Sequence, residues 1–521
     1  MASNGHTNTS GSSNPDYEML EHIMKDIKHE PQDLNTRWWS IYRVPFNLRN
    51  LKKDAYTPQL VSIGPLHYGL KKLNRMQTQK LRYFNFFRDR VEKNVKDMDN
   101  IKNMDNFKKY LECKQDVIRQ CYAEKLRVDI NKEKLVDIML LDSVFIMELF
   151  LRIQNVEKDP DDIIMKQPWL NKSIQRDMLL LENQIPLFVL EELYGTFVSN
   201  SREKHATSTF IELARGYFDC YQIYHTYGKC DEEKKSSPGC VQINVNCCTS
   251  EKGDSTSREK TGCSDPKGGS PKHFTDLIRF FYICKNLNDF KEGPPLRATT
   301  KLRELGVSSE KVKNKPLRTA TKLMESGVSF EKVNNKPLLD IKFQKHRILS
   351  NFLCLGCFPK SSCLKARLQI PQLKVEDTTE CVLRNLIAFE QCHYPDQPYI
   401  CNYVSFIDSL IHTKDDVELL VEKEVIVHEL GSDKEVATLV NGLCKHVVTD
   451  KTCYRGIIDD LNQHYQSQWN RTMAALRLVY FRDAWRASST LVATAVLVFT
   501  IFNFCRVVRL VLDLEGGNKK H

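Results

Sequence analysis

Ile174 to Val198 reads IQRDMLLLENQIPLFVLEELYGTFV. Its apolar residues recur with the spacing of a helix, and Pro186 interrupts them. Proline lacks a backbone donor and clashes with the preceding turn, so the helix is expected to kink or to restart there. Asn183 and Gln184 stand just before the break, where their side chains can hydrogen-bond the freed backbone groups.

Segments on either side of this stretch also favour helix. Val136 to Ile153 is apolar enough for a buried helix, and its charged residues Asp142 and Glu148 argue against a membrane span. Residues 73–89 have helical spacing, with Leu81, Phe84 and Phe87 on one face. Helical patterns return from residue 382, and residues 454–486 are expected to form one long helix.

Short extended pieces accompany the helices. Pro45, Pro58 and Pro65 divide residues 37–69 into segments that disfavour helix. LLDIKF from Leu338 and LQIPQL from Leu368 are typical of strands. The sequence therefore predicts a mostly α fold, a helical globular body with a few short strands.

The chain divides into six regions. Residues 1–36, rich in Ser, Asn, Gly and Thr, are expected to form a disordered N-terminal tail. Ser, Gly and Lys dominate residues 227–272, which predicts a flexible, disordered insertion. Around that insertion lie two halves of the helical body, 37–226 and 273–486. A C-terminal helix and a short tail, 487–505 and 506–521, complete the chain.

The second half contains a tandem repeat. Residues 297–317 read RATTKLRELGVSSEKVKNKPL, and residues 318–338 read RTATKLMESGVSFEKVNNKPL, identical at 15 of 21 positions. Two copies are too few for a solenoid. The duplication is expected to add a surface helix and turn, and a repeated docking element is the alternative.

The last apolar stretch, Ala487 to Cys505, contains no charged residue and matches the hydrocarbon core of a bilayer in length. A buried core helix is the alternative interpretation. We expect a single-pass membrane anchor with nearly all of the chain on one side. The N-terminus does not have the pattern of a secretory signal, so the large N-terminal part is expected to be cytosolic, with the plasma membrane favoured.

Charge and cysteine content narrow the class of protein. A net charge of +10, spread over 521 residues, suits a position near anionic lipid but is too diffuse to indicate nucleic-acid binding. The 18 cysteines are scattered and expected to be reduced thiols. Cys354, Cys357 and Cys363, with His346 upstream, could bind zinc, but the second half of a zinc motif is missing, and an unliganded loop is the favoured interpretation.

Motifs for catalysis or cofactor binding are missing from the sequence. His22–Asp26 and His412–Asp416 fit HxxxD without any companion motif. The carboxylates of Glu18, Glu148, Glu182 and Glu390 stand singly on predicted helices and are expected to be solvated or locally hydrogen-bonded. We therefore assign no catalytic, cofactor-binding or metal residue and expect no cofactor.

Several segments together resemble a plant family called domain of unknown function 247, or uncharacterised protein family 0481. They read, in order, YRVPFNLRNLKKDAYTPQLVSIGPLHYG from Tyr42, MLLDSVFIMELFL from Met139, LLLENQIPLFVLEELY from Leu179, LLDIKFQ, LQIPQL, and LRNLIAFEQCHY from Leu383. The resemblance covers the chain from about residue 38 to residue 505. Its signature residues here are Pro45, Pro65, Glu182, Asn183, Gln184, Pro186, Asn385, Glu390 and Gln391.

The resemblance implies a plant-specific, mostly helical, single-pass protein without an established enzymatic activity. Some members are implicated in pollen–pistil self-incompatibility. This chain departs from the family in carrying two repeat copies rather than one, and in the long insertion 344–366.

Three hypotheses follow from the sequence. The first is a membrane-anchored, non-enzymatic recognition or signalling protein that contacts the bilayer and an unidentified protein partner. The second is an enzyme of unrecognised type with a pocket near Asn183–Pro186. The third is a structural tether without ligand specificity.

Overall fold

The computed structural model describes residues 38–93, 101–155, 161–197, 209–218, 271–283, 316–334, 336–345, 366–449, 452–480 and 484–517. Outside them lie the predicted tail 1–36, residues 227–270 of the insertion, most of the first repeat copy, and the cysteines Cys354, Cys357 and Cys363. The described residues form a mostly helical body with a few short strands and an apolar C-terminal helix, which confirms the predicted fold class.

Helices make up most of both halves. The first half contains α1 (Phe46–Leu51), α2 (Asn74–Lys93), α3 (Ile101–Gln120), α4 (Lys132–Gln154), α5 (Ile163–Lys166), α6 (Pro168–Met178), α7 (Leu187–Phe197) and α8 (Phe210–Tyr217). The second half contains α9 (Phe274–Ile283), α10 (Ala320–Glu325), α11 (Thr379–His393), α12 (Tyr399–Leu410), α13 (Lys414–Glu422), α14 (Asp433–Leu443), α15 (Arg455–Gln466), α16 (Gln468–Tyr480) and α17 (Ala484–Gly517).

Two small sheets accompany them, built from β1 (Val328–Val333), β2 (Lys342–Gln344), β3 (Ala366–Pro371), β4 (Leu373–Val375) and β5 (Ile426–His428). In the first sheet β3 lies in the middle, parallel to β1 and antiparallel to β2. In the second sheet β4 and β5 pair in parallel. LQIPQL lies mostly in β3, as predicted, whereas only the last two residues of LLDIKF lie in a strand, β2.

Helix α4 is the centre of the first half. The Asn131 side chain accepts the Lys134 N–H at 2.8 Å and starts the helix. Helices α2, α3, α7 and α8 pack around α4, so the helix is apolar on nearly every side. The ring centroids of Phe150 and Tyr217 lie 4.2 Å apart, and those of Phe150 and Phe274 lie 5.8 Å apart. Because α9 also packs on α11, one continuous core joins the two halves.

Helix α2 has a different buried face from the predicted one. Leu81 is 56% exposed, whereas Met76, Lys80, Tyr83 and Phe87 are buried. These four recur at the i, i+4, i+7 and i+11 positions of one helical face. The prediction grouped Phe84 and Phe87 with Leu81 and did not include the buried Lys80.

The sequence predicts one long helix before the C-terminal helix, and this prediction is wrong. Helix α15 ends before Ser467, whose backbone is extended, and α16 begins at the next residue. The Ser467 hydroxyl accepts the Asn470 N–H at 3.4 Å, and the Asn470 side chain donates to the His464 carbonyl at 3.1 Å. A serine cap therefore ends one helix and starts the next.

The predicted C-terminal tail 506–521 is also largely helical. Helix α17 continues to Gly517, since residues 507–515 contain neither proline nor glycine to end it. Within α17, Ser488–Leu510 is long and apolar enough to cross a membrane, with a mean hydropathy of 2.1 and no part buried in the protein. The span starts one residue after the predicted start and ends five residues after the predicted end.

The second repeat copy, which runs directly into LLDIKF, forms a helix and a strand. Helix α10 is followed by strand β1, and Leu323, Val328 and Phe330 are buried in the core. The copy is therefore a structural part of the first sheet.

Candidate functional site

The break predicted at Pro186 separates α6 from α7, and amide side chains hold the intervening turn. Gln184 donates to the carbonyls of Met178 at 2.5 Å and Leu180 at 2.8 Å. Its oxygen accepts the Phe274 N–H at 3.0 Å. The chain does not kink within one helix but starts a new one directly after Pro186. Gln184 therefore satisfies backbone groups that the break leaves without helical partners.

Asn183 and Asp177 fix residues 59–63, a segment without helix or strand, against this turn. The Asn183 oxygen accepts the Ile63 N–H at 2.7 Å, and its nitrogen donates to the Val61 carbonyl at 2.9 Å. The Asp177 carboxylate accepts the N–H groups of Gln59, Leu60 and Val61 at 2.7–3.1 Å. Burial raises the pKa of Asp177, although these three donors act in the opposite direction.

Gly64 follows this segment at a point of close approach. Its φ is 73°, and a Cβ there would lie 2.3 Å from the Gln184 carbonyl oxygen. Its N–H donates to Asp142 at 2.8 Å. Only glycine combines this left-handed conformation with this contact, and the buried Pro65 follows it.

Glu182 is the charged centre of the turn. Its side chain is fully buried, and its carboxylate accepts the Val44 N–H at 2.7 Å and contacts Arg49. His67 Nε2 and Arg43 Nη1 lie 3.3 Å and 3.5 Å from the other oxygen. Burial by itself would raise the pKa of Glu182, but these partners lower it below its ordinary value. Pro45, next to Val44, caps α1, so Glu182 anchors the entry to that helix.

Asn385 connects the second half to the same turn. Its oxygen accepts the Leu181 N–H at 2.9 Å, and its nitrogen donates to the carbonyls of Ala55 at 2.7 Å and Cys381 at 2.8 Å. Asn385 is 1% exposed. One asparagine therefore joins α11, the turn and the extended N-terminal region.

Glu390 and Gln391 hold the end of α11 in place. Glu390 accepts a hydrogen bond from Arg279 at 2.8 Å and from the N–H groups of Ile400 and Cys401 in the first turn of α12, at 3.1 Å and 2.9 Å. Burial nevertheless raises the pKa of Glu390. Both atoms of the Gln391 amide bond the Val448 backbone, at 2.9 Å and 3.0 Å.

The sequence predicts that Glu148, Glu182 and Glu390 are solvated or locally hydrogen-bonded on helices, and this prediction is partly wrong. All three are buried, Glu182 lies in a turn rather than on a helix, and its partners are remote in sequence. Glu148 forms two hydrogen bonds with Arg90, at 2.8 Å and 2.9 Å. The reason is that these carboxylates interrupt apolar segments, where burial without a charged or backbone partner would be costly. Glu18 and His22–Asp26 lie outside the described residues.

Sequence reasoning did not find the buried Lys80 or its pairing with Asp142. Lys80 donates to Asp142 and, at 2.5 Å, to the Ser62 carbonyl. A signal was present, because Asp142 lies within an apolar helix that offers it no solvent. Its partner could not be named, since it is 62 residues away in the chain.

Two histidines are buried beside this network. His273 Nε2 lies 2.9 Å from the Ser40 carbonyl, and its Nδ1 accepts the Asp276 N–H at 3.3 Å. Burial lowers the pKa of His273 to about 3. His393 stacks on Phe389 and contacts the Tyr42 hydroxyl at 2.9 Å, and burial lowers its pKa to about 4. Both rings are neutral at physiological pH.

The buried polar residues at this turn have a structural role. Asn183, Gln184 and Asn385 are 0–1% exposed, and their side chains bond the protein's own backbone. An apolar cleft occurs elsewhere, between β4, α11, α12 and α14, and residues such as Leu373, Leu383, Tyr403 and Leu443 line it.

The other candidate sites have simple explanations where they are described. Asp416 of the His412–Asp416 pair accepts the N–H groups of His412 and Thr413, both at 3.1 Å, and so caps α13. Among the residues of known placement, no group of histidine, cysteine and acidic side chains could hold a metal ion. The cysteines in these parts of the chain are free thiols, and burial raises the pKa of Cys381 to about 11.

Comparison with known proteins identifies the family. A family profile described as a plant protein of unknown function matches residues 41–499. An UPF0481 protein of Arabidopsis thaliana is 26% identical over 487 residues, covering 92% of this chain and 88% of the relative. A putative UPF0481 protein of the same plant is 26% identical over 505 residues, covering 91% of each chain. No solved structure matches. The chain thus belongs to the plant family of unknown function designated domain of unknown function 247.

Proposed function

We propose that this protein is a membrane-anchored, non-enzymatic recognition or signalling protein that acts through contacts with another protein. The observation that carries the proposal is the use of the signature residues. Asn183, Gln184 and Asn385 are buried and bond backbone groups, and Glu182 and Glu390 are held by arginines and N–H donors. Residues used in this way stabilise one shape of the body and leave recognition to its surface.

The C-terminal helix supports the anchoring part of the proposal. Ser488–Leu510 is not covered by the body, and side chains such as Phe499 and Phe502 are 66% and 65% exposed. Exposing so much apolar surface to water is unfavourable, whereas a bilayer would bury it. We place the anchor in the plasma membrane with the body on the cytosolic side. Pollen–pistil self-recognition is one role that a membrane-anchored recognition protein of this kind can serve.

The alternative is an enzyme with a pocket near Asn183–Pro186. Such an enzyme requires polar groups that converge on a space a substrate can enter. Residues 182–186 are all buried, and the amides of Asn183 and Gln184 are bonded on both atoms. This geometry favours the non-enzymatic proposal.

A binding experiment with purified components tests the proposal. Proteins next to the detergent-solubilised chain are cross-linked, identified by mass spectrometry, purified and recombined with it. We expect a saturable complex in which the masses of both proteins stay unchanged. A covalent change in the second protein that requires this chain would support an enzyme. If every captured protein fails to bind saturably, the chain is a tether.

A further inference from the structure

Helix α16 joins the body to α17, and one of its faces contacts the body. The Asn470 side chain donates to the His464 carbonyl at 3.1 Å. Ala474, one turn later, lies against Gly327, where a Cβ would be 3.4 Å from the Ala474 Cβ. Asn470 and Ala474 are four residues apart and therefore share a face. This face fixes the direction in which α16 crosses the body.

The neighbouring face of α16, about a quarter to a third of a turn around the helix, is apolar. Trp469 is 46% exposed, although tryptophan is among the most costly side chains to leave in water. Helical spacing places the half-buried Met473 on the same face as Trp469, at the i+4 position. Helix α10, which contacts α16, exposes 42% of Met324.

The position of α16 along the chain restricts what can cover this face. Its last residue is Tyr480, and the candidate span begins at Ser488. Eight residue steps cover about 12 Å as a helix and at most about 29 Å when extended. If α17 spans a bilayer, the end of α16 therefore lies close to the headgroups, which form a layer roughly 5–7 Å deep on each side.

The charged residues next to the span also indicate that lipid covers this face. Arg471, Arg477, Arg482 and Arg486 occur between the start of α16 and the start of the span, with Asp483 as the sole acidic residue of that interval. Basic residues next to a span attract anionic lipids. A helix with tryptophan on its apolar face and arginines beside it is typical of an element that lies in the membrane interface.

We propose that α16 lies in the plane of the membrane interface, with its Trp469 face between the headgroups and acyl chains of anionic phospholipid. The body then rests on the bilayer through this helix instead of hanging freely from α17. The inference rests on the proposed anchor, because α17 brings α16 to the lipid.

Tryptophan quenching in the full-length protein tests this proposal. The chain is reconstituted into vesicles of phosphatidylcholine and phosphatidylserine, either unmodified or brominated on the acyl carbons nearest the headgroup. Wild type is compared with W469F, a conservative change at a half-exposed position, and with W169F. Trp169 is 62% exposed at the start of α6 and serves as the matched control.

In unmodified vesicles, both variants should emit less than wild type by the contribution of one tryptophan. In brominated vesicles, wild type and W469F should emit equally because Trp469 is already quenched, whereas W169F should still emit less. An equal loss for W469F in both vesicle types would place Trp469 in water or under a protein and overturn the inference. Failure of the anchor is distinguishable, since the protein would then not float with the vesicles.

Discussion

Gly64 has a φ of 73° and lies directly against the Gln184 carbonyl. An alanine there would adopt the left-handed conformation and would place its Cβ 2.3 Å from that oxygen. We expect Gly64→Ala to lower the free energy of unfolding by at least about 2 kcal/mol. The melting temperature of the detergent-purified chain, followed by tryptophan fluorescence, measures this loss.

Gly195 provides the matched control for that substitution. It lies within α7, and no atom would come within 4 Å of an added Cβ. Gly195→Ala should therefore stabilise the protein by up to about 1 kcal/mol through the higher helix propensity of alanine. Equal effects of the two substitutions would contradict the close approach at Gly64.

Protonation of His273 makes the stability of the protein depend on pH. Its folded-state pKa of about 3 lies below the ordinary value of 6.5, so the unfolded chain binds this proton first as the pH falls. The stability that the neutral His273 ring contributes is fully present above pH 6.5 and is lost progressively toward pH 3. Between pH 7 and pH 5 it amounts to about 2 kcal/mol.

The variant His273→Asn isolates this contribution. It should be less stable than wild type at pH 7, because the buried contacts to Ser40 and Asp276 change. Its stability should nevertheless fall less between pH 7 and pH 5, by about 2 kcal/mol. Denaturant unfolding at the two pH values gives the difference. If both proteins have the same pH dependence, His273 is not the titrating group.

Single residues also show the limits of sequence reasoning at the candidate site. The hydrogen bonds of Gln184 were predictable, because a proline break frees backbone groups within a few residues. The Lys80–Asp142 pair and the Asn385 link to Leu181 were not, since these partners are 62 and 204 residues apart. Local patterns identify residues that need a partner, but only the folded chain brings the partner to them.

At the scale of elements, the sequence predicts the helices with strong periodicity well, but it predicts the residues at which they begin and end less well. Helix α4 was clear from its apolar composition, and β2 and β3 overlap LLDIKF and LQIPQL, the fragments predicted as strands. Strand β1 was not predicted, because the repeat sequence was interpreted as a helix and a turn. In the structure, Val328 and Phe330 of β1 are 2% and 4% exposed.

The two repeat copies should therefore differ in importance. Ala320, Ser326 and Phe330 of the second copy are buried, and the first copy has Thr299, Leu305 and Ser309 at these positions. Deleting residues 318–338 would put a smaller residue in place of Phe330 and larger ones at the other two sites. We expect a loss of roughly 3 kcal/mol or more, as for other large-to-small changes in a core.

Deleting residues 297–317 is the matched control. The deletion brings Pro295 and Leu296 to the place of Pro316 and the buried Leu317, so the sequence that enters the second copy stays Pro-Leu. The melting temperature should stay within a few degrees of wild type, corresponding to about 1 kcal/mol or less. A loss of folded protein from this deletion would mean that the first copy belongs to the core.

At the scale of the whole molecule, one core joins the halves on either side of the insertion, and α17 extends from it uncovered. This division gives each part a separate source of stability. The body depends on its own apolar core and buried polar network, whereas the favourable environment for α17 must come from outside the body. Loss of α17 should therefore change the location of the protein without unfolding it.

Deletion of residues 487–521 tests this separation. The truncated chain should move from the membrane pellet to the soluble fraction after a carbonate wash, whereas full-length protein stays in the pellet. Its melting temperature should stay close to that of the full-length chain, because no part of the span is buried in the body. Weak, salt-sensitive pelleting before the wash would agree with the interfacial position of α16, since arginines near anionic lipid act over about a Debye length. Carbonate-resistant pelleting of the truncated chain would show that another segment anchors it.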